Sequence, residues 1–203
     1  VDLEKRLQEA GYPVYTAQIG PVSSNRDRAC ELYSAIKGGR VDYGTVHSAR
    51  FGHARYGRSY EGVYPEWGTR DPNTGEVRKV HIIGHSMGGQ TARLLVSLLE
   101  NGDSMEREGG EDVSPLFMGN RPWVLSVTTL STPHDGTTIT YQYKQLGFIQ
   151  KMFAKWLAAH SARKENPVFD LQLGHWAPMT EEDESLEEFL RLALEDGLWK
   201  RME

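Results

Sequence analysis

Cysteine is nearly missing from this 203-residue chain. A lone Cys30 cannot build an internal disulfide framework, and its place in an apolar helical pattern reads as a small core residue rather than a second nucleophile. A basic surplus is missing as well. Lys and Arg number 23 against 28 Asp and Glu, a net charge of −5, which leaves no electrostatic footprint for nucleic acid. No run approaches the ~18 apolar residues of a membrane span. The first residues lack the charged and apolar regions of a signal peptide, and no internal repeat or low-complexity stretch occurs. What is present, 38% hydrophobic residues, suffices for one sizeable core and a single domain over residues 1–203.

That core is organised around Val80-His81-Ile82-Ile83-Gly84-His85-Ser86-Met87-Gly88-Gly89-Gln90. Val80, Ile82 and Ile83 read as the end of a strand buried on both faces, and Thr91 to Glu100 follows at helical spacing. Between them lies Gly-x-Ser-x-Gly in the strand-to-helix context that makes it a nucleophile elbow. The two glycines admit a turn that a Cβ would obstruct. Ser86 is the expected nucleophile, and the Met87 N–H, at a helix start, is placed to donate to an oxyanion.

Elsewhere the pattern alternates. Val1 to Gly11 reads as an amphipathic helix carrying Leu3, Leu7 and Ala10 on one face. Val14 to Ile19 is a β-rich segment, and Ser23-Ser24-Asn25 offers N-cap oxygens to a helix running to Ile36. Residues 40–64 change composition and predict an irregular, functional excursion. Asp71 to Gly75 is a turn cluster, Asn101 to Asn120 a polar surface connection, and Trp123 to Leu130 a further strand. Ile139 to His160 carries a wide apolar stripe, including Phe148, Met152, Phe153 and Trp156, and Glu181 to Met202 reads as a second amphipathic helix. Trp67 is expected in the core.

Five segments carry a family resemblance: Gly20 to Asn25, Val41 to Gly44, Gly52 to Arg58, Gly84 to Leu99, and Thr132-Pro133-His134-Asp135-Gly136-Thr137-Thr138. From Asp2 to about Trp199 the chain resembles the secreted true lipases of the staphylococcal and thermoalkalophilic bacillary type. The resemblance implies a partial α/β-hydrolase fold, a parallel sheet with flanking helices, a zinc-bearing insertion at 40–64 and a helical lid at 139–162. It implies zinc ligands Asp27, His47 and His53, and a fourth near Phe169 to Trp176. Gly174 stands where the family has Asp, leaving His175 or Asp170 as the alternatives. Spacing alone does not identify a zinc site, because two polar loop histidines would look the same. The zinc would be structural.

The likeness also implies that Tyr56, Tyr60 and Tyr64 pack the insertion against the core with Trp176 nearby, and that the His85 ring packs beneath the elbow. His134 and Asp135 would sit near the site without serving as base and acid, Asp135 bracing its loop. The triad Asp and His, any calcium ligands, and a His-Gly loop supplying the second oxyanion donor are expected outside this chain. The strand leading to that loop would fall between the Val14–Ile19 segment and the elbow strand, leaving a gap in mid-sheet. Residues 1–203 are therefore expected to be an excerpt of an extracellular triacylglycerol lipase acting at a lipid–water interface, nearly inactive alone, or a degenerate relative. Rival readings are a carboxylesterase on soluble esters and a non-catalytic zinc-stabilised module docking through its apolar 139–160 face.

Overall fold

Ser24 sets where the first long helix begins. Its hydroxyl accepts from the Asp27 N–H at 3.1 Å and donates to the Asp27 carboxylate at 2.7 Å, satisfying a first-turn donor as an N-cap does. The computed structural model describes residues 3–20 and 23–136. Along them run α1 (Leu3–Glu9), α2 (Asn25–Lys37), β1 (Gly39–Asp42), α3 (Thr45–Phe51), β2 (Tyr56–Tyr60), β3 (Val80–His85), α4 (Met87–Asn101), α5 (Ser104–Gly109), a 3-10 turn (Pro115–Phe117) and β4 (Val124–Leu130).

β3 and β4 pair in parallel, with His81 opposite Ser126 and His85 opposite Leu130. A parallel pair needs a crossover, and α4 begins it, packing on both strands and on α2. The expected parallel sheet with flanking helices is present as this two-stranded unit. The core lies between α2 and α4. Ala29, Cys30, Leu32 and Ile36 meet Leu95, Leu98 and Leu99, and the 3-10 turn adds Leu116 and Phe117. Burial pushes the Cys30 thiol far above its ordinary range, so it packs as a small apolar group. Trp67 is fully buried, its Nε1–H donating to the Trp123 carbonyl at 2.9 Å and its ring edge-on to Trp123.

Several sequence expectations change. Val14 to Ile19 forms no strand, because no described strand lies beside it and β propensity is expressed only against a neighbour. Its carbonyls turn to side chains instead: Gln18 O accepts from Arg58 and Tyr60, and Val14 O from Gln8. Residues 40–64 are not irregular. β1 and β2 pair antiparallel around α3, and guanidiniums cover the aromatic rings: Arg40 and Arg55 lie over Tyr56, and Arg58 over Tyr60. Tyr60 and Tyr64 pack on the core as expected, whereas Tyr56 is exposed.

The Asn101–Asn120 connection is more than surface, since α5 and the 3-10 turn bury Glu106, Leu116 and Phe117. β3 is not buried on both faces. Val80 and Ile82 face the core, but Ile83 is 47% exposed and Leu130 beside it on β4 is 43% exposed. Helix α1 covers Leu3–Glu9 of the expected Val1–Gly11, leaves Ala10 in the turn beyond it and buries no residue. The 139–162 lid, the Glu181 to Met202 helix, Trp176, and the candidates Asp170 and His175 lie outside the described residues.

Glu31 is fully buried on α2, and Tyr43 Oη donates to it at 3.1 Å. Tyr43→Phe keeps the ring and removes that donor. It should cost about 1.5–3 kcal/mol, the usual worth of a hydrogen bond to a charged group, measured by urea denaturation.

Candidate active site and metal centre

A serine between a strand and a helix can present its hydroxyl only if the backbone reverses within one residue. Ser86 does so at φ 52° and ψ −126°. Such a conformation costs a non-glycine residue roughly 1–3 kcal/mol and persists only when the surroundings hold it. Here they do. The Ser86 N–H donates to Leu130 O at 2.9 Å, and its carbonyl accepts from Gly89 N–H at 3.1 Å and from Thr132 Oγ1 at 2.9 Å. Gln90 Nε2 adds a bond to Pro133 O at 2.6 Å, tying the first turn of α4 to the loop after β4.

The hydroxyl itself is not spent on capping α4. Met87 is the first helical residue, 51% exposed, and its N–H has no intrahelical acceptor. The arrangement puts a hydroxyl and an open amide donor at one corner, where an acyl-transfer oxyanion would form beside its attacker.

The glycine reading is half corrected. A Cβ on Gly84 would lie 2.6 Å from the Gly88 carbonyl, so the first glycine of the motif is required. A Cβ on Gly88 would meet nothing within 4 Å, whereas one on Gly89 would collide with Thr132 Oγ1. The close approach that needs a glycine falls one residue later than the motif suggests.

His85 is exposed rather than packed beneath the turn, because strand alternation sends it to the same open face as Ile83. His134 is held at both nitrogens, Nδ1 by Arg93 at 2.8 Å and Nε2 by Thr129 Oγ1 at 3.1 Å, which suits its non-catalytic reading. Asp135 is exposed and accepts no hydrogen bond among the described residues. The bracing expected of it comes from Thr132 and Gln90.

The chain brings Asp27, His47 and His53 together from α2, α3 and the turn beyond α3. One ligand atom from each lies within 4.8 Å of the others. His47 Nε2 stands 3.0 Å from Asp27 Oδ1, with both side chains nearly buried. His53 Nδ1 lies 2.9 Å from the Ala54 carbonyl. A carbonyl only accepts, so Nδ1 carries the proton and Nε2 is the nitrogen with a lone pair. Burial alone would raise the Asp27 carboxyl, but hydrogen bonds with His47 and Ser24 and the charges of both imidazoles outweigh it. They hold the carboxyl below its ordinary value.

Glu106 was not legible as part of this centre. It is 2% exposed on α5 and accepts from the backbone N–H groups of Val46 at 3.1 Å and His47 at 2.8 Å. The signal that could have marked its helix is Asp103-Ser104-Met105-Glu106, an N-cap residue with an acid three positions on. Asp103 indeed caps Met105 and Glu106.

A family model described as "Lipase-like, C-terminal domain" matches residues 1–203. The chain is similar to lipase 1 of Staphylococcus aureus, 41% identical over 212 residues that cover 98% of this chain and 29% of that protein. Among solved structures, lipase 1 from Pelosinus fermentans superposes with a TM-score of 0.82 at 45% identity, over 98% of this chain and 52% of that one. The lipase of Staphylococcus hyicus superposes with a TM-score of 0.73 at 37% identity, over 100% and 49%. The chain thus spans less than a third of the curated relatives it matches and about half of these solved chains.

The glycine geometry makes a paired prediction. Gly89→Ala should destabilise by about 1–3 kcal/mol through overpacking against Thr132, while Gly88→Ala should be neutral or gain up to ~1 kcal/mol of helix propensity. Thermal denaturation of the two variants side by side measures the difference.

Proposed function

This chain belongs to the lipase-like C-terminal domain family, and from that premise we propose that it is the nucleophile-bearing part of a serine lipase that hydrolyses long-chain acylglycerols. The observation that carries the reading is the strained turn at Ser86, braced on three sides with its hydroxyl left out of the helix cap.

In the proposed reaction Ser86 Oγ attacks the ester carbonyl while a histidine takes its proton, and the Met87 N–H donates to the tetrahedral oxyanion. The alcohol then leaves with that proton. Water, deprotonated by the same histidine, attacks the acyl-enzyme and releases the fatty acid and Ser86. Among the described residues no histidine hydrogen-bonds the Ser86 hydroxyl: His134 is bonded at both nitrogens, and His81 Nδ1 faces Ser126 on the sheet. The base and its acid therefore belong outside the described residues, as the family likeness implies, and the activity is proposed for a longer polypeptide that supplies them. An extracellular location and action at a lipid surface rest on the same likeness, and any calcium site is assigned to that longer protein.

We propose zinc for the Asp27, His47 and His53 group. Two imidazoles and one carboxylate suit Zn²⁺, and the carbonyl bond on His53 Nδ1 directs its other nitrogen to the ion. The ion would bind α2 to the insertion at 40–64 as a structural tie, without touching the reacting ester.

In the full-length protein a fluorophosphonate should label Ser86, and Ser86→Ala should abolish labelling and lower kcat by several orders of magnitude with the fold intact. An unlabelled Ser86 in a folded, full-length protein would remove the lipase reading. Purified protein should carry about one zinc per chain, and a chelator or His53→Ala should lower its melting temperature; absence of both effects sinks the zinc assignment.

A further inference from the structure

Asp27 and His47 can share an ion only if α2 and α3 keep one relative placement, yet the two helices are separate elements with β1 between them. The residue that joins them comes from neither. Glu106, on α5, accepts through Oε1 from the His47 N–H at 2.8 Å and through Oε2 from the Val46 N–H at 3.1 Å. The same Oε1 lies 3.4 Å from Arg26 NH2, and Arg26 directly precedes Asp27. Arg26 also reaches Asp103 at 2.9 Å and donates to the Tyr43 carbonyl. Gly44, at φ 92°, completes the fit, because a Cβ there would collide with the Glu106 carboxylate.

We propose that Glu106 is a positioning residue for the metal centre. Its buried carboxylate grips the backbone of His47 on one side and the neighbour of Asp27 on the other, so that both ligands meet one ion without rearrangement. The inference rests on the zinc reading but names a residue outside the ligand set. It predicts an effect on affinity, because a carboxylate holding a ligand's backbone removes freedom that metal binding would otherwise have to quench.

The test is the zinc dissociation constant of the full chain, read by competition with a chromophoric chelator, for wild type, Glu106→Gln and the core variant Leu99→Ala. Leu99 is fully buried in the core on α4 and is not one of the ligand residues, so its variant controls for general destabilisation. Glu106→Gln keeps the shape but sets an amide NH2 against backbone donors. It should weaken zinc about 10- to 100-fold, as loss of an outer-shell partner does, while Leu99→Ala lowers the melting temperature and leaves the dissociation constant in place. Equal zinc affinity in Glu106→Gln and wild type, or equal weakening in Leu99→Ala, overturns the proposal. If Glu106→Gln does not fold, Gly44→Ala, which displaces the same carboxylate, is read in its place against the same two outcomes. Wild type that binds no zinc defeats the metal reading itself, a result distinct from unchanged affinity in the variants.

Discussion

The constraint on which the described structure depends is the burial of α2. This helix is enclosed on nearly every side and takes Asp27, Arg28 and Glu31 inside with it. Desolvating a carboxylate costs several kcal/mol unless its lone pairs are answered, and the answers come from segments remote in sequence. Glu31 receives Gly20 N–H, Ser23 Oγ and Tyr43 Oη, which pins the chain before the helix and the end of β1. Asp27 receives Ser24 and His47, which pins α3. Satisfying one helix therefore fixes the path of the segments on both sides of it.

The two candidate sites share that helix. Asn25 Oδ1, at the first residue of α2, accepts from Thr91 Oγ1 at 3.0 Å, and Thr91 lies just over one turn into α4 from Ser86. The α2–α4 packing that makes the core thus ties the helix that bears Asp27 to the helix that follows Ser86. Their surroundings differ. At the elbow the backbone is strained and the Ser86 hydroxyl does not cap α4, with Thr132 and Gln90 holding the turn from the loop after β4. At the cluster the Asp27 carboxylate and the His47 backbone are held by hydrogen bonds, which suits a tie rather than a reaction.

Local signals were read well where the chain needs only its neighbours. The elbow's strand and helix, the Ser24 cap, the Asp71 turn and the burial of Trp67 follow from hydrophobic period and cap chemistry. The failures share a cause. Val14 to Ile19 has strand propensity without a described partner, and residues 40–64 hide a hairpin because arginine stems, not alternating aliphatics, cover its tyrosines. Residues 101–120 look polar although Leu116 and Phe117 anchor them. In each, the deciding contact is non-local and carries no periodic signature.

By itself the sequence determined the corner at Ser86: a Gly-x-Ser-x-Gly turn between an apolar strand and a helix. It also named Asp27, His47 and His53, though only through likeness, because a metal's ligands are chosen by distance in space and not by spacing along the chain. Tertiary structure alone decided that these three converge, that Gly89 rather than Gly88 makes room beside Thr132, and that Glu106 holds the His47 backbone. Those outcomes depend on the packing of α2, α4 and α5, where the geometry of approach is set by buried volume and by the demand that buried charges be paired.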